Sequence, residues 1–176
     1  MCLIPFMLAD GRTVTIRPMT AGDLPSLAAM HDRLSKQSLY DRYFTAQKPS
    51  LAALREQLQP AWERGAALAA ALDAAPRDII GAAYYVITPG DRSVAEPAFL
   101  VEDRFQGQGL GYALFDGLLQ DARAQALQGF QLYVLPHNQR MLHLLCRQPF
   151  PLERHYRDGM LEARLRLDLQ PAQAAS

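Results

Sequence analysis

Apolar and polar residues alternate along residues 12–19. A period of two predicts a strand with one buried face. Along residues 24–34 the apolar positions instead recur every three or four residues, which predicts an amphipathic helix. Pro25 fits only in the first turn of this helix, because a deeper proline would remove a backbone hydrogen bond. A second short helix, rich in aromatic residues, is predicted at residues 35–44.

A third helix and a hairpin follow. Ser50 is placed to cap a helix at residues 51–58, which we expect to end before Pro60. Two apolar runs, residues 66–72 and 79–87, flank a turn that contains a proline, and this arrangement predicts a β-hairpin.

The second half of the chain alternates strands and helices. The expected elements are a strand at residues 93–102, a helix from the glycines at 107–111 to about residue 128, a strand at 130–135, a helix at 138–147 and a strand at 161–169. Residues 170–176 are expected to form a loose tail. Antiparallel hairpins followed by one βαβ-like unit predict a mixed α/β fold of the α+β-like kind.

Composition limits the class of protein. The 176 residues include 18 Lys+Arg and 18 Asp+Glu, and 49% are hydrophobic. This length predicts a single domain over residues 1–176, with its core at residues 12–169. The ordinary apolar fraction excludes general disorder, and no apolar run approaches the roughly 18–20 residues of a membrane span. The zero net charge argues against a nucleic-acid-binding protein.

Cysteine and histidine give little sign of special chemistry. Cys2 and Cys146 form no paired motif, which favours a reducing compartment. The N-terminal residues lack the basic region of a signal peptide, so we expect a cytoplasmic protein. The four histidines have no metal-ligand spacing, and no metal site is expected.

A glycine-rich segment lies between the strand at 93–102 and the helix that follows. Gly107, Gly109 and Gly111 allow several backbone N–H groups to converge at a helix N-terminus, which is an arrangement suited to a pyrophosphate. The segment does not fit the dinucleotide-binding glycine fingerprint or the P-loop. The glycines alone leave a second interpretation open, a tight strand–helix turn without a ligand.

The wider pattern resembles the GNAT superfamily of acetyl-CoA-dependent N-acetyltransferases. The family motif is matched by Gln106-x-x-Gly109-x-Gly111 behind Val101, and Asn138 begins a segment similar to the family's second helix. The early segment with its LSxxSxxxRF-like pattern is closest to the GNAT domain of bacterial protein-lysine acetyltransferases. The resemblance implies a twisted, mostly antiparallel sheet of six to seven strands, with a splayed central parallel pair and helices on both faces.

The resemblance also implies acetyl-CoA as the acyl donor. Backbone groups near Leu100 and Val101 would pair with pantetheine, and the glycine segment would hold the pyrophosphate. Asn138 would lie near the pantetheine sulfur, cap a helix, or do both. Pro97 marks either a bulge, a place where strand pairing fails, or an ordinary edge position. The expected cofactor-binding residues are Phe99, Leu100, Val101, Gln106, Gly107, Gln108, Gly109, Leu110, Gly111, Tyr112 and Asn138.

Catalytic residues are less clearly indicated. Glu96 matches the glutamate that protein-lysine acetyltransferases of this type use as a general base, although a solvent-facing strand glutamate is the alternative. Leu145 occupies the position where many family members carry a tyrosine acid, so the acid stays unassigned. Arg42 and its aromatic neighbours either line an acceptor cleft or pack a helix onto the sheet. The arginines of the C-terminal third, including Arg140 and Arg147, are expected to form a solvated face rather than a cofactor contact.

The resulting hypothesis is an N-acetyltransferase that transfers an acetyl group to a primary amine by direct attack in a ternary complex. The alternative is a catalytically silent module that binds acyl-CoA as a sensor or scaffold. The expected partners are an acyl-CoA and an amine of unknown class, with protein lysine among the candidates, and neither nucleic acid nor a membrane. A homodimer is left open.

Overall fold

The structure is a computed structural model that describes residues 3–168. Within that range the chain forms eight β-strands and five α-helices. In chain order they are β1 (Ile4–Met7), β2 (Thr13–Pro18), α1 (Leu24–Asp32), α2 (Lys36–Tyr43), α3 (Leu51–Arg64), β3 (Gly65–Leu72), β4 (Ala75–Ile87), β5 (Val94–Val101), α4 (Leu110–Ala124), β6 (Gly129–Val134), α5 (Gln139–Cys146), β7 (Leu152–Arg157) and β8 (Met160–Arg166).

The strands form one sheet in the order β1-β2-β3-β4-β5-β6-β8-β7, and every neighbouring pair except β5–β6 is antiparallel. Buried side chains of α4 and Leu145 of α5 pack on one face of the sheet, and those of α1, α2 and α3 pack on the other. The predicted mixed α/β class is therefore confirmed. The sheet has eight strands, so β1 and β7 add to the six that the hydrophobic pattern indicated.

The central parallel pair is short. Only Val94↔Gly129 and Ala95↔Phe130 are paired between β5 and β6, and the two strands then separate. This is the splayed pair that the family resemblance implied. Pro97 pairs with Tyr85 of β4 without a register shift, two residues beyond the last contact with β6. Pro97 therefore marks the place where pairing fails and not a bulge.

Two helix boundaries differ from the sequence predictions. The expected end of α3 before Pro60 is wrong, because the helix continues through this proline to Arg64. Leu54, Leu58 and Ala61 are buried on one side of α3, so packing on both sides of the proline outweighs the lost backbone bond. Helix α4 ends at Ala124, earlier than expected, and Ala126 adopts a left-handed φ of 57°.

Some predictions concern residues outside the described range. These are the loose tail at residues 170–176, the last residue of the strand expected at 161–169, and Cys2. Between residues 3 and 168, no helix has the length and apolar character needed to cross a membrane. The same range contains no group of three or more His, Cys, Asp or Glu residues arranged to hold a metal ion.

Candidate functional site

A cleft of about 770 Å³ opens where β5 and β6 diverge. Its walls come from these two strands, from α2 and β4 on one side, and from the glycine segment and α5 on the other. Ten of the residues expected at the site line it: Glu96, Phe99, Leu100, Val101, Gln106, Gly107, Gly109, Gly111, Tyr112 and Asn138. The structure thus brings the sequence-predicted residues together around one opening in the sheet.

The glycine segment, residues 106–112, has the backbone geometry of an anion cradle. Gly107 and Gly109 have φ angles of 73° and 86°, in the left-handed region that favours glycine. The first hydrogen bond of α4 runs from the Ala113 amide to the Gly109 carbonyl over 3.1 Å. The amides of Leu110, Gly111 and Tyr112 therefore precede the helical ladder and are available to a ligand.

Strand β1, which the sequence pattern did not reveal, supports this segment from behind. A Cβ atom added to Gly109 would lie 3.3 Å from the Phe6 ring. Gly111 has more room, because its nearest neighbours would be Leu144 at 3.7 Å and Val101 at 3.9 Å. Gly109 is thus constrained both by its φ angle and by a close contact, whereas Gly111 is constrained by neither.

Two expected site residues do not line the cleft with their side chains. Leu110 is fully buried in the core and anchors the start of α4. The Gln108 side chain turns back and donates to the Arg104 carbonyl over 3.1 Å. Both residues can contribute to ligand binding only through their backbone.

The backbone of β5 alternates between β4 and the cleft. The Glu102 amide donates to the Ile80 carbonyl of β4 over 2.9 Å, so the backbone of Leu100 also faces β4. Phe99 and Val101 then turn their backbone groups toward the cleft, where β6 no longer pairs with them. These two residues provide the strand edge that β6 leaves unpaired, although the Val101 carbonyl accepts the Gln106 side chain. Leu100 lines the cleft and packs against the helical core.

Gln106 connects the glycine segment to its surroundings. Its Nε2 donates to the Val101 carbonyl over 2.8 Å and to Ser38 Oγ over 3.1 Å. Ser38 is buried and donates in turn to Asp103 Oδ1 over 2.8 Å. Burial opposes ionisation of Asp103, but the hydrogen bonds from Ser35 and Ser38 outweigh it and lower the pKa of this carboxyl. Helix α2, the end of β5 and the glycine segment are thus held by one hydrogen-bond network.

Asn138 has the capping role that was its alternative interpretation. Its Oδ1 accepts the Met141 amide over 3.1 Å at the start of α5. The same side chain lines the cleft. Capping therefore fixes the side chain at the cleft wall without removing it from the site.

Helix α5 brings to the cleft two arginines, Arg140 and Arg147, that the sequence assigned to a solvated face. Arg140, His143 and Arg147 are exposed, but they also line the cleft, at helical spacing along one side of α5. Within residues 3–168, neither arginine of this set forms an ion pair. Leu144 of the same helix lies next to Gly111. The α5 arginines therefore stand beside the glycine segment.

The other side of the cleft is formed by the sheet face that α1, α2 and α3 cover. Glu96 lies opposite Val86 in the β4–β5 ladder, and Tyr84 lies opposite Ala98, so their side chains share this face. On β6, Phe130, Leu132 and Val134 are in the opposite core. Gln131 and Tyr133 therefore project toward the Glu96 face. Glu96 itself is exposed at the cleft.

Leu145 is 1% exposed and lies in the core. No hydroxyl is available at the position where the resemblance places a tyrosine. Tyr84 and Tyr133 line the cleft instead, and sequence reasoning missed both. Strand alternation could have found Tyr133, because it separates two buried residues of β6.

Of the side chains around Arg42, some line the cleft and others pack α2 onto the rest of the protein, so each of the two interpretations holds for part of this segment. Arg42 and Phe44 line the cleft. Tyr43 instead packs inward, and its hydroxyl lies 2.7 Å from His31 Nε2, while His31 Nδ1 lies 2.8 Å from the Leu27 carbonyl. Burial raises the pKa of Tyr43 to about 12 and lowers the pKa of His31.

Tyr40 also packs away from Arg42. Its ring stacks on that of His137, with 6.1 Å between the ring centroids. His137 Nε2 lies 3.1 Å from Asp41 Oδ1, so α2 is tied to the loop that precedes α5.

Comparison with known proteins identifies the family to which this chain is similar. Residues 35–148 match the model of the acetyltransferase (GNAT) family. The acetyltransferase Pat of Mycolicibacterium smegmatis is 28% identical over 144 residues, which are 82% of this chain and 43% of that protein. The chain thus spans less than half the length of that relative.

Solved structures with the same fold include the GNAT domain of S. lividans PAT. Its TM-score is 0.82 at 26% identity, with 93% of this chain and 96% of that chain covered. A phosphinothricin acetyltransferase from Sinorhizobium meliloti, in complex with AcCoA, has a TM-score of 0.72 at 17% identity. In that comparison, 92% of this chain and 94% of the other are covered.

Proposed function

Because this chain belongs to the GNAT acetyltransferase family, we propose that it transfers the acetyl group of acetyl-CoA to a primary amine in a ternary complex. The observation that carries the proposal is the opening between β5 and β6. At one end of this opening lie the free amides at the N-terminus of α4. At the other end, Glu96 projects from β5 into the cleft. A cofactor arm can enter from the first end and an amine from the second.

The cofactor end suits a polyanion. The amides of Leu110, Gly111 and Tyr112 would hold the pyrophosphate, and each charge-assisted hydrogen bond is worth about 1.5–3 kcal/mol. Arg140 and Arg147 add positive charge beside them. The cleft-facing backbone of Phe99 and Val101 would pair with the pantetheine arm as an added strand, because β6 leaves this edge unpaired.

Acetyl-CoA supplies an activated acyl group, but the acceptor must first lose a proton. An alkylamine with a pKa near 10.4 is about 3.4 units from neutrality at pH 7, which corresponds to about 4.6 kcal/mol. Glu96 would take this proton directly or through water. The Phe99 amide, which is the cleft-facing donor nearer to Glu96, would serve the developing oxyanion, and the Val101 amide would be left to the pantetheine arm.

The absence of a tyrosine at Leu145 does not prevent the reaction. A thiol with a pKa near 8.5 is about 1.5 units from ionisation at pH 7, so departure as a thiolate costs about 2 kcal/mol. That cost is less than half the cost of deprotonating the amine. The base therefore matters more than the acid in this site.

Two measurements test the proposal. Acetyl-CoA should raise the melting temperature of the protein, and acetyl-CoA turnover across a panel of amines should release free thiol. If millimolar acetyl-CoA caused no thermal shift, the proposed cofactor would be wrong.

A second function, an acyl-CoA-binding sensor without catalysis, is favoured by the buried Leu145 at the tyrosine position. This function also requires a thermal shift with acetyl-CoA. It differs in turnover, because no amine in the panel would then release thiol above the rate of spontaneous hydrolysis.

A further inference from the structure

Arg42 is the cation on the acceptor side of the cleft. It lies in the last turn of α2, is half-buried, and lines the cleft together with Phe44 and Tyr84. Its Nη2 donates to the Tyr84 hydroxyl. Its guanidinium carbon lies 4.7 Å from the centre of the Tyr43 ring and 5.5 Å from that of Tyr84. Two aromatic rings therefore fix the position of this guanidinium.

The charge of Arg42 is not matched by the protein. Other half-buried arginines, such as Arg17 with Asp23 and Arg33 with Glu102, have carboxylate partners within 3 Å. Within residues 3–168, no carboxylate lies within 4 Å of the Arg42 nitrogens. The neighbouring Asp41 is instead engaged by His137 and by Gln37.

Most of the donors of Arg42 are also free. A guanidinium carries five N–H donors, and the Tyr84 hydroxyl takes one of them. Within the described residues, no other protein acceptor binds Arg42. This half-buried guanidinium is held by two aromatic rings, has free N–H donors and has no carboxylate partner. It is therefore suited to bind a negatively charged group of the substrate.

A negative group stands close by on the same face. Tyr84 and Glu96 occupy neighbouring rows of the β4–β5 ladder, because Tyr84 pairs with Ala98 and Val86 pairs with Glu96. Adjacent rows on one face are about 6.6 Å apart. Arg42, which binds the tip of Tyr84, and the carboxyl side chain of Glu96 therefore line the same face of one cleft.

We propose that the acceptor is a free α-amino acid. The carboxylate of the amino acid would form bidentate hydrogen bonds with Arg42, and its ammonium group would face Glu96. The proposal rests on the acetyl-transfer function above. In the reaction, the ammonium loses one proton to Glu96, and the neutral amine then forms the N–C bond while the C–S bond breaks. The second proton of the nitrogen ends on the departing CoA thiolate, and Glu96 releases the first to solvent. The net products are the N-acetyl amino acid, CoA and one proton.

The same arrangement disfavours a lysine within a protein chain. The side-chain amine of such a lysine has no carboxylate on the carbon that carries it, so Arg42 would stay unpaired when the acceptor displaces its water. An approaching ammonium would also be repelled by the guanidinium on its way to Glu96. The charge distribution of this cleft therefore separates free amino acids from protein lysines.

The experiment compares each of the common amino acids with its own carboxamide, using release of free thiol as the readout. Loss of one charge-assisted contact corresponds to about a 10- to 150-fold change. We therefore expect kcat/KM for the preferred amino acid to exceed that for its amide by a factor in this range. A peptide that contains lysine should be a poorer substrate than the amino acid.

Variants distinguish recognition from a structural role. Arg42→Gln should bring the acid-to-amide ratio close to one, and Arg42→Lys should restore part of it. Arg55→Gln, on an exposed part of α3 outside the cleft, should leave the ratio unchanged. All three should retain the thermal shift with acetyl-CoA.

Three outcomes would overturn the proposal. They are a ratio near one in the unmodified protein, a ratio that Arg42→Gln does not change, and efficient turnover of the peptide alone. If no amine were turned over, melting would be measured with CoA and each amino acid, and the absence of any additional shift would also reject it. Failure of the acetyl-transfer function itself is recognised separately, by the absence of thiol release with every amine in the panel, including peptides and amines without a carboxylate.

Discussion

The cofactor end of the cleft is made largely of backbone, whereas the acceptor end is made of side chains. At the cofactor end, a contiguous segment of seven residues, 106–112, supplies the amides, and the glycines set their direction. At the acceptor end, Arg42, Tyr84, Glu96 and Tyr133 come from α2, β4, β5 and β6. The first end is defined by local conformation and the second by the register of distant elements.

Because of this difference, the two ends of the cleft respond differently to amino-acid substitution. A backbone cradle tolerates substitution wherever the φ angles and close contacts allow it, so one binding mode can persist among diverse sequences. In a pocket made of side chains, substitution of a single lining residue changes which acceptor fits. Substitutions at the two ends should therefore affect cofactor binding and acceptor turnover independently.

The largest expected effect is at the cofactor end. Gly109→Asp places a side chain on a residue with a φ of 86°, 3.3 Å from Phe6, and adds negative charge at the proposed pyrophosphate site. We expect the acetyl-CoA-dependent rise in melting temperature to disappear. The matched control is Gly111→Ala, which has only ordinary contacts and should retain the shift. Equal shifts in both variants would contradict the backbone cradle.

The next effect belongs to the acceptor end. Glu96→Gln removes the proposed base without changing the cofactor cradle, and general-base catalysis contributes about 10²- to 10⁴-fold. Turnover at neutral pH should fall by this factor, while the thermal shift with acetyl-CoA stays unchanged. Glu153→Gln, on strand β7 outside the cleft, is the control and should have normal turnover. Undiminished turnover in Glu96→Gln would exclude this residue as the base.

Ser38→Ala tests the connection between the two ends. Its hydroxyl joins Asp103 to Gln106, so its loss should lower the free energy of unfolding by about 1 kcal/mol and raise the KM for acetyl-CoA several-fold. Ser50→Ala removes the cap of α3 and should cost a similar stability without changing this KM. If the two variants had the same KM, the network would be structural alone.

The smallest effect concerns pH and the support of α2. Burial lowers the pKa of His31, so as the pH falls through about 6.5 the unfolded chain binds this proton before the folded protein does. The free energy of unfolding should therefore fall between pH 7 and pH 5.5 through this group. Denaturant unfolding at both pH values should show a smaller decrease in His31→Gln than in the exposed control His155→Gln. If both variants lost the same stability between the two pH values, the pH dependence would arise from a group other than His31.

The contrast also explains how much the sequence could predict. The glycine segment and the capping Asn138 were predictable because each depends on nearby residues, whereas the splayed pair was implied only by the family resemblance. Strand β1 was not, since its four residues have no distinctive pattern and are placed by pairing with β2. The continuation of α3 through Pro60 likewise depends on packing that a local rule does not include.

The acceptor end shows the same limit of local reasoning. Arg42 was recognised as a candidate, but its lack of an acidic partner and its contact with Tyr84 depend on how α2 lies on β4. Tyr133 was overlooked because a strand tyrosine is unremarkable until the neighbouring strand separates from it. Side chains that meet across the sheet become visible only when the register is known.

The short pairing between β5 and β6 has a consequence for the lifetime of the protein. In the described part of the chain, the backbone bonds between β5 and β6 are confined to the start of β5, from Ser93 to Ala95. An arm seated along Phe99 and Val101 would therefore act as a ninth strand. A ligand at a hundredfold excess over its Kd adds about 2.7 kcal/mol to the free energy of unfolding. The resistance of the protein to heat and proteolysis would then rise and fall with the supply of its own substrate, and its abundance in a cell would respond to metabolic state.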